Sequence, residues 1–177
     1  MSSKIKHHEI WMRIALEQAK KSIVEGEVPV GAILVHQNKI ISMAHNSSIS
    51  EIDPTSHAEI NVIRKATKVF GNHRMPESEL YCTLEPCAMC YGAIANSRIK
   101  KIIFGAYDPN TGVCGTCIDL SITKCFNHRP IIIGGILEKE CSGVLKDFFK
   151  SKRYLDWVHS PINMKGLCSY ISSRIAS

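Results

Sequence analysis

The sequence lacks any apolar run long enough to cross a membrane. Its hydrophobic stretches stay well short of the ~18 residues that a spanning helix needs. Residues 1–8 also lack the apolar segment of an export signal. We therefore expect a protein that does not associate with a membrane and that is located in the cytoplasm.

Internal repeats and low-complexity tracts are absent as well. Hydrophobic residues make up 45% and charged residues 21% of the 177 positions, a globular composition that excludes disorder as the main state. A chain of this length accommodates one domain. We predict that domain over residues 1–159, followed by a Ser-rich, poorly patterned tail over 160–177.

Basic residues outnumber acidic ones, with 22 Lys and Arg against 16 Asp and Glu, which gives a formal charge of +6. This excess favours a polyanionic partner such as nucleic acid, although a basic soluble surface would have the same composition. The chain also contains 8 cysteines. Without an export signal, they indicate metal binding, catalysis or core packing rather than a disulfide framework.

The hydrophobic pattern alternates between strands and helices. Apolar residues at helical spacing, such as Met12, Ala15 and Ala19, predict a first helix that ends before Gly26. Buried strands are predicted over residues 30–35, 40–44, 80–84, 101–105 and 130–134. Further helices are predicted over residues 57–70, 86–96 and 137–149, the second of them opened by Pro86. This order indicates an α/β fold with helices on both faces of a sheet.

Two short motifs contain residues suited to zinc chemistry. Cys87 and Cys90 are three positions apart in the predicted first turn of a helix, so that their sulfurs can share one face. A helix N-terminus favours the thiolate that zinc binds, and His57 is a candidate third ligand. Three protein ligands and an open fourth position describe a catalytic zinc, which lowers the pKa of its bound water to about 7.

Glu59 is the candidate proton carrier beside this zinc. It shares a helical face with Ile63, Ala66 and Phe70, where a carboxylate is costly unless it has a specific partner. Residues 57 and 59 point to opposite sides of a regular helix, so that the site requires His57 to lie at the helix end.

Each motif taken alone has a structural alternative. Residues 56–59 fit a capping box, in which Glu59 would only reach back to the start of the helix. Cys87 and Cys90 would serve equally as packed thiols. Cys114 and Cys117 form a second C-x-x-C pair, which with the first would make a four-cysteine structural zinc site. The joint occurrence of H-x-E and P-C-x-x-C favours the catalytic interpretation.

The full set of motifs resembles the bacterial tRNA-specific adenosine deaminases, within the zinc-dependent nucleobase deaminases. The resemblance covers roughly residues 8–157. It rests on Glu27-Val-Pro-Val-Gly31, His45-Asn46, Asp53-Pro-Thr-Ser-His-Ala-Glu59, Thr83-Leu-Glu-Pro-Cys-Ala-Met-Cys90, Phe104-Gly-Ala106, Asp108-Pro-Asn-Thr-Gly112 and Asn127-His-Arg129.

This resemblance implies a three-layer α/β/α, cytidine deaminase-like fold around a mixed, roughly five-stranded sheet. It implies hydrolytic deamination of adenosine to inosine at the wobble position of an arginine tRNA, by a homodimer with one Zn²⁺ per subunit and no nucleotide cofactor. His57, Cys87 and Cys90 would hold the zinc, and Glu59 would move protons. The Ala58 backbone N–H and the Asn46 side chain would contact the target nucleotide.

Recognition of the anticodon stem-loop is expected to come from residues outside the pocket. Asp108 is a candidate acceptor for a 2′-hydroxyl, or alternatively the first residue of an Asp-Pro turn. The end of the last predicted helix carries basic and aromatic residues, of which Phe149 and Arg153 are the candidate RNA contacts and Phe148 a core residue. Tyr107 departs from the polar residue that the family often has there.

Two other functions stay open at this point. One is a deaminase of a free base or nucleotide, of the guanine or cytidine type, which would use the same zinc site. The other is a non-catalytic RNA-binding module stabilised by zinc. Residues 83–85 and the basic, aromatic C-terminal helix favour the tRNA enzyme over the first, and the role of Glu59 distinguishes it from the second.

Overall fold

The computed structural model of the chain describes residues 3–158. Within that range lie four helices, five strands and one 3₁₀ turn. In chain order they are α1 Ser3–Val24, β1 Gly31–His36, β2 Lys39–His45, α2 Ala58–Phe70, β3 Glu79–Leu84, α3 Ala88–Asn96, β4 Lys101–Ala106, the 3₁₀ turn Leu120–Ile122, β5 Ile131–Ile133 and α4 Glu138–Val158. The predicted strands and helices are all present, whereas the 3₁₀ turn was not predicted.

The five strands form one mixed sheet in the order β2-β1-β3-β4-β5. β1 is antiparallel to both of its neighbours, while β3, β4 and β5 run parallel to one another. Gln37 and Asn38, at φ 47° and 60°, make the two-residue turn between β1 and β2, as the polar tetrapeptide at 36–39 predicted. The mixed five-stranded sheet is therefore confirmed.

Helices cover both faces of this sheet. Successive strand residues face opposite sides, so that Leu34 joins a core formed with α2 and α3. Its neighbours Ile33 and Val35 face a second core, formed with α1 and the start of α4. The predicted α/β/α layering is confirmed, and α2 and α3 lie side by side on one face.

The described chain divides into two compact units between Leu145 and Lys146. The first contains the sheet, α1 to α3 and the start of α4, and the second contains the rest of α4. The domain boundary predicted at 159/160 and the predicted tail from Ser160 lie outside the described residues and stay predictions. No helix in the described range is long and apolar enough to cross a membrane.

Gly31 allows α1 to pack directly on β1. A Cβ at this position would overlap the carbonyl oxygen of Ala15 and the amide nitrogen of Ala19, and would lie 2.9 Å from the Cβ of Gln18. The overlapping atoms belong to the helix backbone and cannot rotate away. The Gly31 amide also donates a hydrogen bond to Thr83 Oγ1 at 3.1 Å, so that the same residue ties β1 to β3.

We predict that Gly31→Ala lowers the free energy of unfolding by about 1–3 kcal/mol, because α1 must move away from the sheet. The matched control is Gly143→Ala in α4, where an added Cβ meets nothing within 4 Å. That variant should gain about 0.5–1 kcal/mol from its better helix propensity. Urea denaturation of both variants tests this, and equal stabilities would contradict the proposed close approach.

Candidate active site

Three potential metal ligands converge where α2 and α3 begin. The Nδ1 atom of His57 lies 3.8 Å from the sulfur of Cys87 and 3.5 Å from that of Cys90. A tetrahedral zinc with bonds of ~2.0–2.3 Å places its ligand atoms at such separations, roughly 3.5–3.8 Å apart. The donor set of one imidazole and two thiols also suits zinc. These side chains form the group that can hold a metal among the described residues.

Both helices present a ligand from the residue just before their first turn. His57 is the N-cap of α2 at φ −72° and ψ 153°, and Cys87 is the N-cap of α3 at φ −77° and ψ 174°. The extended backbone lets His57 and Glu59 face the same site, which a regular helix would prevent. The prediction that Pro86 opens the helix and that Cys87 lies in its first turn is wrong, because the extended conformation of Cys87 delays the helix start to Ala88.

Hydrogen bonds within the group favour one thiolate. The bond from the Cys90 thiol, together with the bond from His57, lowers the pKa of Cys87 to about 4 although burial opposes the shift. The hydrogen bond to Cys87 and burial raise the pKa of Cys90. The hydrogen bond with Cys87 raises the pKa of His57. A divalent cation bound here would displace the remaining protons, as metal binding to cysteine and histidine generally does.

Glu59 is buried next to these ligands. Its side chain is 4% exposed, and desolvation raises its pKa from 4.5 to about 6. The alternative capping box does not form, because His57 is the N-cap and the Ser56 hydroxyl donates instead to Glu51 at 2.7 Å. Glu59 therefore combines burial with a pKa near neutrality, as proton-transferring carboxylates do.

A cavity of about 160 Å³ opens onto this group. The predicted substrate contacts Asn46 and Asp108 both line it. The remaining lining residues are Val28, Val30, His57, Glu59, Leu84, Glu85, Cys87 and Thr111. The cavity is smaller than the ~300–1,000 Å³ typical of drug-sized ligand sites, and so suits a single base rather than a whole nucleotide.

The loop between β2 and α2 forms one wall of the cavity and is held by a buried carboxylate. Glu27 is 1% exposed, and its Oε1 accepts hydrogen bonds from the amides of Ile49 at 2.7 Å and Ser50 at 2.8 Å. Asn61 on α2 donates to Ser47 Oγ at 2.9 Å. The loop that carries Asn46 is thus fixed from both sides.

The segment after β4 forms the opposite wall and contains Asp108. The Asp108 carboxylate accepts hydrogen bonds from the amides of Asn110 and Thr111 and from the Thr111 hydroxyl. The predicted turn is therefore present, and Asp108 also reaches the cavity. Glu85, 2% exposed, accepts hydrogen bonds from three amides of the same segment.

Glu27 and Glu85 were not predicted as functional residues, although both lie inside the motifs that carry the family resemblance. A detectable signal was present, because each glutamate is embedded in an apolar, proline-containing stretch. A carboxylate in such a place needs specific partners. The partners themselves lie 22 to 31 positions further along the chain and leave no local pattern.

The other predicted site residues are placed as follows. Ala58 is fully buried as the first residue of α2, where an N–H has no acceptor within the helix. Phe149 and Arg153 are exposed on α4 in the second unit, and Phe148 is buried as predicted. Cys82 packs inside β3, and the described structure does not bring Cys114 and Cys117 into the metal group.

Comparisons with known proteins agree with this geometry. The family model of the MafB19-like deaminases matches residues 6–153. The tRNA-specific adenosine deaminase of Bacillus subtilis is 45% identical over 145 residues, which is 82% of this chain and 90% of that protein. The chain belongs to the tRNA-specific adenosine deaminase family.

Comparison with solved structures supports the same fold. A chain from work on A-to-I editing by tRNA:A34 deaminases at the wobble position superposes with a TM-score of 0.75 and 37% identity, covering 76% of this chain and 98% of that one. A guanine deaminase from Bacillus subtilis matches at a TM-score of 0.56 and 35% identity, over 62% of this chain and 70% of that one. The cytidine deaminase-like fold is confirmed.

Burial of Glu59, the candidate proton carrier, makes the stability of the metal-free protein depend on pH. Because the folded pKa of Glu59 is about 6 against 4.5 for the free group, the folded state binds the extra proton between these values. Stability therefore falls as pH rises from 4.5 to 6, by about 2 kcal/mol in total. We predict that metal-free Glu59→Gln is more stable than the metal-free wild type by about that amount at pH 7, and equally stable at pH 4. Urea denaturation at both pH values tests this, and a constant difference would contradict it.

We predict that the two C-x-x-C pairs differ in their effect on bound metal. Replacing Cys114 and Cys117 together by Ser should leave the zinc content unchanged, because neither joins the group around His57. Replacing Cys87 alone should abolish tight binding. Metal analysis after dialysis measures the zinc content of both variants. Loss of zinc from the Cys114 and Cys117 variant would support the alternative four-cysteine zinc site.

Proposed function

We propose that this protein hydrolyses adenosine to inosine at the wobble position of tRNA, with an arginine tRNA as its substrate. One observation carries the proposal: a buried Glu59 lines a base-sized cavity together with His57 and Cys87 of the potential metal-binding group, in a chain of this family. Water enters the reaction and ammonia leaves it. An unpaired anticodon base can be turned into such a cavity at little cost.

The two N-cap residues His57 and Cys87, together with Cys90 in the first turn of α3, would hold one zinc ion per subunit. Two sulfurs and one imidazole nitrogen supply three ligands and leave a fourth position open, as in catalytic zinc sites. Bound there, zinc would supply a Lewis acid that makes hydroxide available near neutral pH.

Glu59 would carry protons between water and base. Its raised pKa lets it accept a proton from the attacking water at neutral pH and release that proton to N1 of the adenine. It would then help to protonate the departing ammonia. Burial excludes bulk water, so that the proton stays between carboxylate and substrate.

The cavity walls would orient the nucleotide. Asn46 offers an amide side chain, Ala58 a backbone N–H, and Asp108 a carboxylate whose remaining acceptor capacity suits a ribose 2′-hydroxyl. Phe149 and Arg153 are exposed, which fits base stacking and phosphate contact. A homodimer and a cytoplasmic location remain expectations drawn from the family resemblance and the sequence.

A deaminase of a free base is the second candidate. The likeness to a guanine deaminase supports it, since the same metal group and carboxylate would serve either substrate. Coverage favours the tRNA enzyme, because that guanine deaminase matches 62% of this chain and the tRNA:A34 deaminase 76%.

The substrate is tested by incubating the zinc-loaded protein with an arginine tRNA transcript that has adenosine at the first anticodon position. We expect inosine at that position by digestion and mass spectrometry, and no conversion of free adenosine, cytidine or guanine. The matched control is the same transcript with guanosine there. Consumption of a free compound without inosine in the tRNA would support the second candidate instead.

The role of Glu59 separates an enzyme from a zinc-stabilised binding module. Glu59→Gln and Glu59→Ala should keep zinc and fold but lower the rate of inosine formation by at least about 10²-fold, the range for a general acid–base group. Zinc content and tRNA affinity serve as controls. Turnover close to wild type in either variant would contradict the proton-carrier assignment.

A further inference from the structure

Glu85 is a buried carboxylate that lines the cavity and has no part in the proton transfers proposed for Glu59. It follows β3 directly and is 2% exposed. Its Oε2 accepts the amide of Asp108 at 3.0 Å, and its Oε1 accepts the amides of Cys114 at 2.8 Å and Thr116 at 3.2 Å. One side chain thus holds both ends of residues 108–116.

The segment held in this way forms the cavity wall opposite Asn46. Asp108 and Thr111 line the cavity and are bonded to each other through the Thr111 hydroxyl at 2.6 Å. The same segment connects to the metal ligands, since the Val113 amide donates to the Pro86 carbonyl at 3.1 Å, next to Cys87. Glu85 is therefore hydrogen-bonded to the segment that would contact the nucleotide, and it lies two positions before Cys87, which would bind the metal.

The Glu85 carboxylate packs closely against Gly112. A Cβ on Gly112 would overlap Glu85 Oε2 and would lie 2.6 Å from the Asp108 carbonyl oxygen. Because the carboxylate is buried, water cannot readily replace an acceptor lost from it. A glutamine in its place would direct an N–H₂ group at one set of backbone N–H donors.

We propose that Glu85 is a positioning residue for nucleotide recognition: it sets the distance between the Asp108–Thr111 wall and the metal-binding cap of α3. The proposal rests on the proposed function, since it concerns how the tRNA substrate is bound. Glu85 acts through the backbone of residues 108–116 and takes no proton in the reaction.

Two variants disturb this contact from opposite sides. Glu85→Gln removes one acceptor oxygen. Gly112→Ala adds a Cβ that displaces the Glu85 carboxylate from the amides it accepts. Both should raise KM for an anticodon stem-loop by about tenfold, with kcat changing far less and zinc content unchanged. Asp119→Asn is the matched control, because within the described residues the Asp119 carboxylate accepts hydrogen bonds from Ser121 and from no other residue, and Asp119 does not line the cavity. Its KM should equal that of the wild type.

Amide hydrogen exchange of the free protein supplies a readout that needs no substrate. In Glu85→Gln the amides of Asp108, Cys114 and Thr116 should exchange faster, while those of Ile49 and Ser50, held by Glu27, should not change. Faster exchange without a rise in KM would overturn the positioning role. So would zinc loss, or faster exchange throughout the domain, in both variants, since Glu85 would then serve only to stabilise the fold. Absence of inosine formation by the wild type would refute the proposed function, and the exchange pattern would still decide whether Glu85 holds the loop.

Discussion

The meeting of two helix N-termini at one point is the constraint on which the site depends. α2 and α3 lie on the same face of the sheet and share one core, so that their first turns are brought together by packing alone. Each N-terminus presents free N–H groups and the positive end of a helix dipole, which favours thiolates. Two of the candidate ligands, His57 and Cys87, are N-cap residues, and their extended backbone lets the side chains turn toward a common centre with Cys90 in the first turn of α3. A regular helix through His57 would point Glu59 away from the metal group.

Three buried glutamates show how the same residue serves different ends. Glu27 and Glu85 each accept several backbone N–H bonds, and each fixes one wall of the cavity. Glu59 is buried equally deeply, but desolvation outweighs its hydrogen bonds and raises its pKa to about 6. Satisfied carboxylates hold the frame in place, and the poorly compensated one is poised to exchange protons.

Sequence patterns predicted the parts of this protein whose causes are local. Strand and helix positions follow from hydrophobic period, and the turn at Gln37 and Asn38 follows from its polar residues. Spacing predicted Cys87 and Cys90 as candidate metal ligands with His57 as the third, and the structure brings these three side chains together. The start of α3 was misplaced, because proline favours a first helical turn while the Cys87 backbone remains extended. The two loop-holding glutamates were not assigned because their partners are distant in sequence.

The strand order determines when in folding the three potential metal ligands can come together. β1 lies between β2 and β3, so that the segment containing His57 leaves the sheet at its edge and returns in the middle. The caps with His57 and Cys87 therefore meet only after the non-local pairing of β1 with β3, which is a slow kind of step in folding. Before that step the nascent chain has two thiols and no imidazole beside them. A metal bound by all three residues would therefore be captured only after β1 and β3 have paired, and the cysteine pair would be open to oxidation before that step.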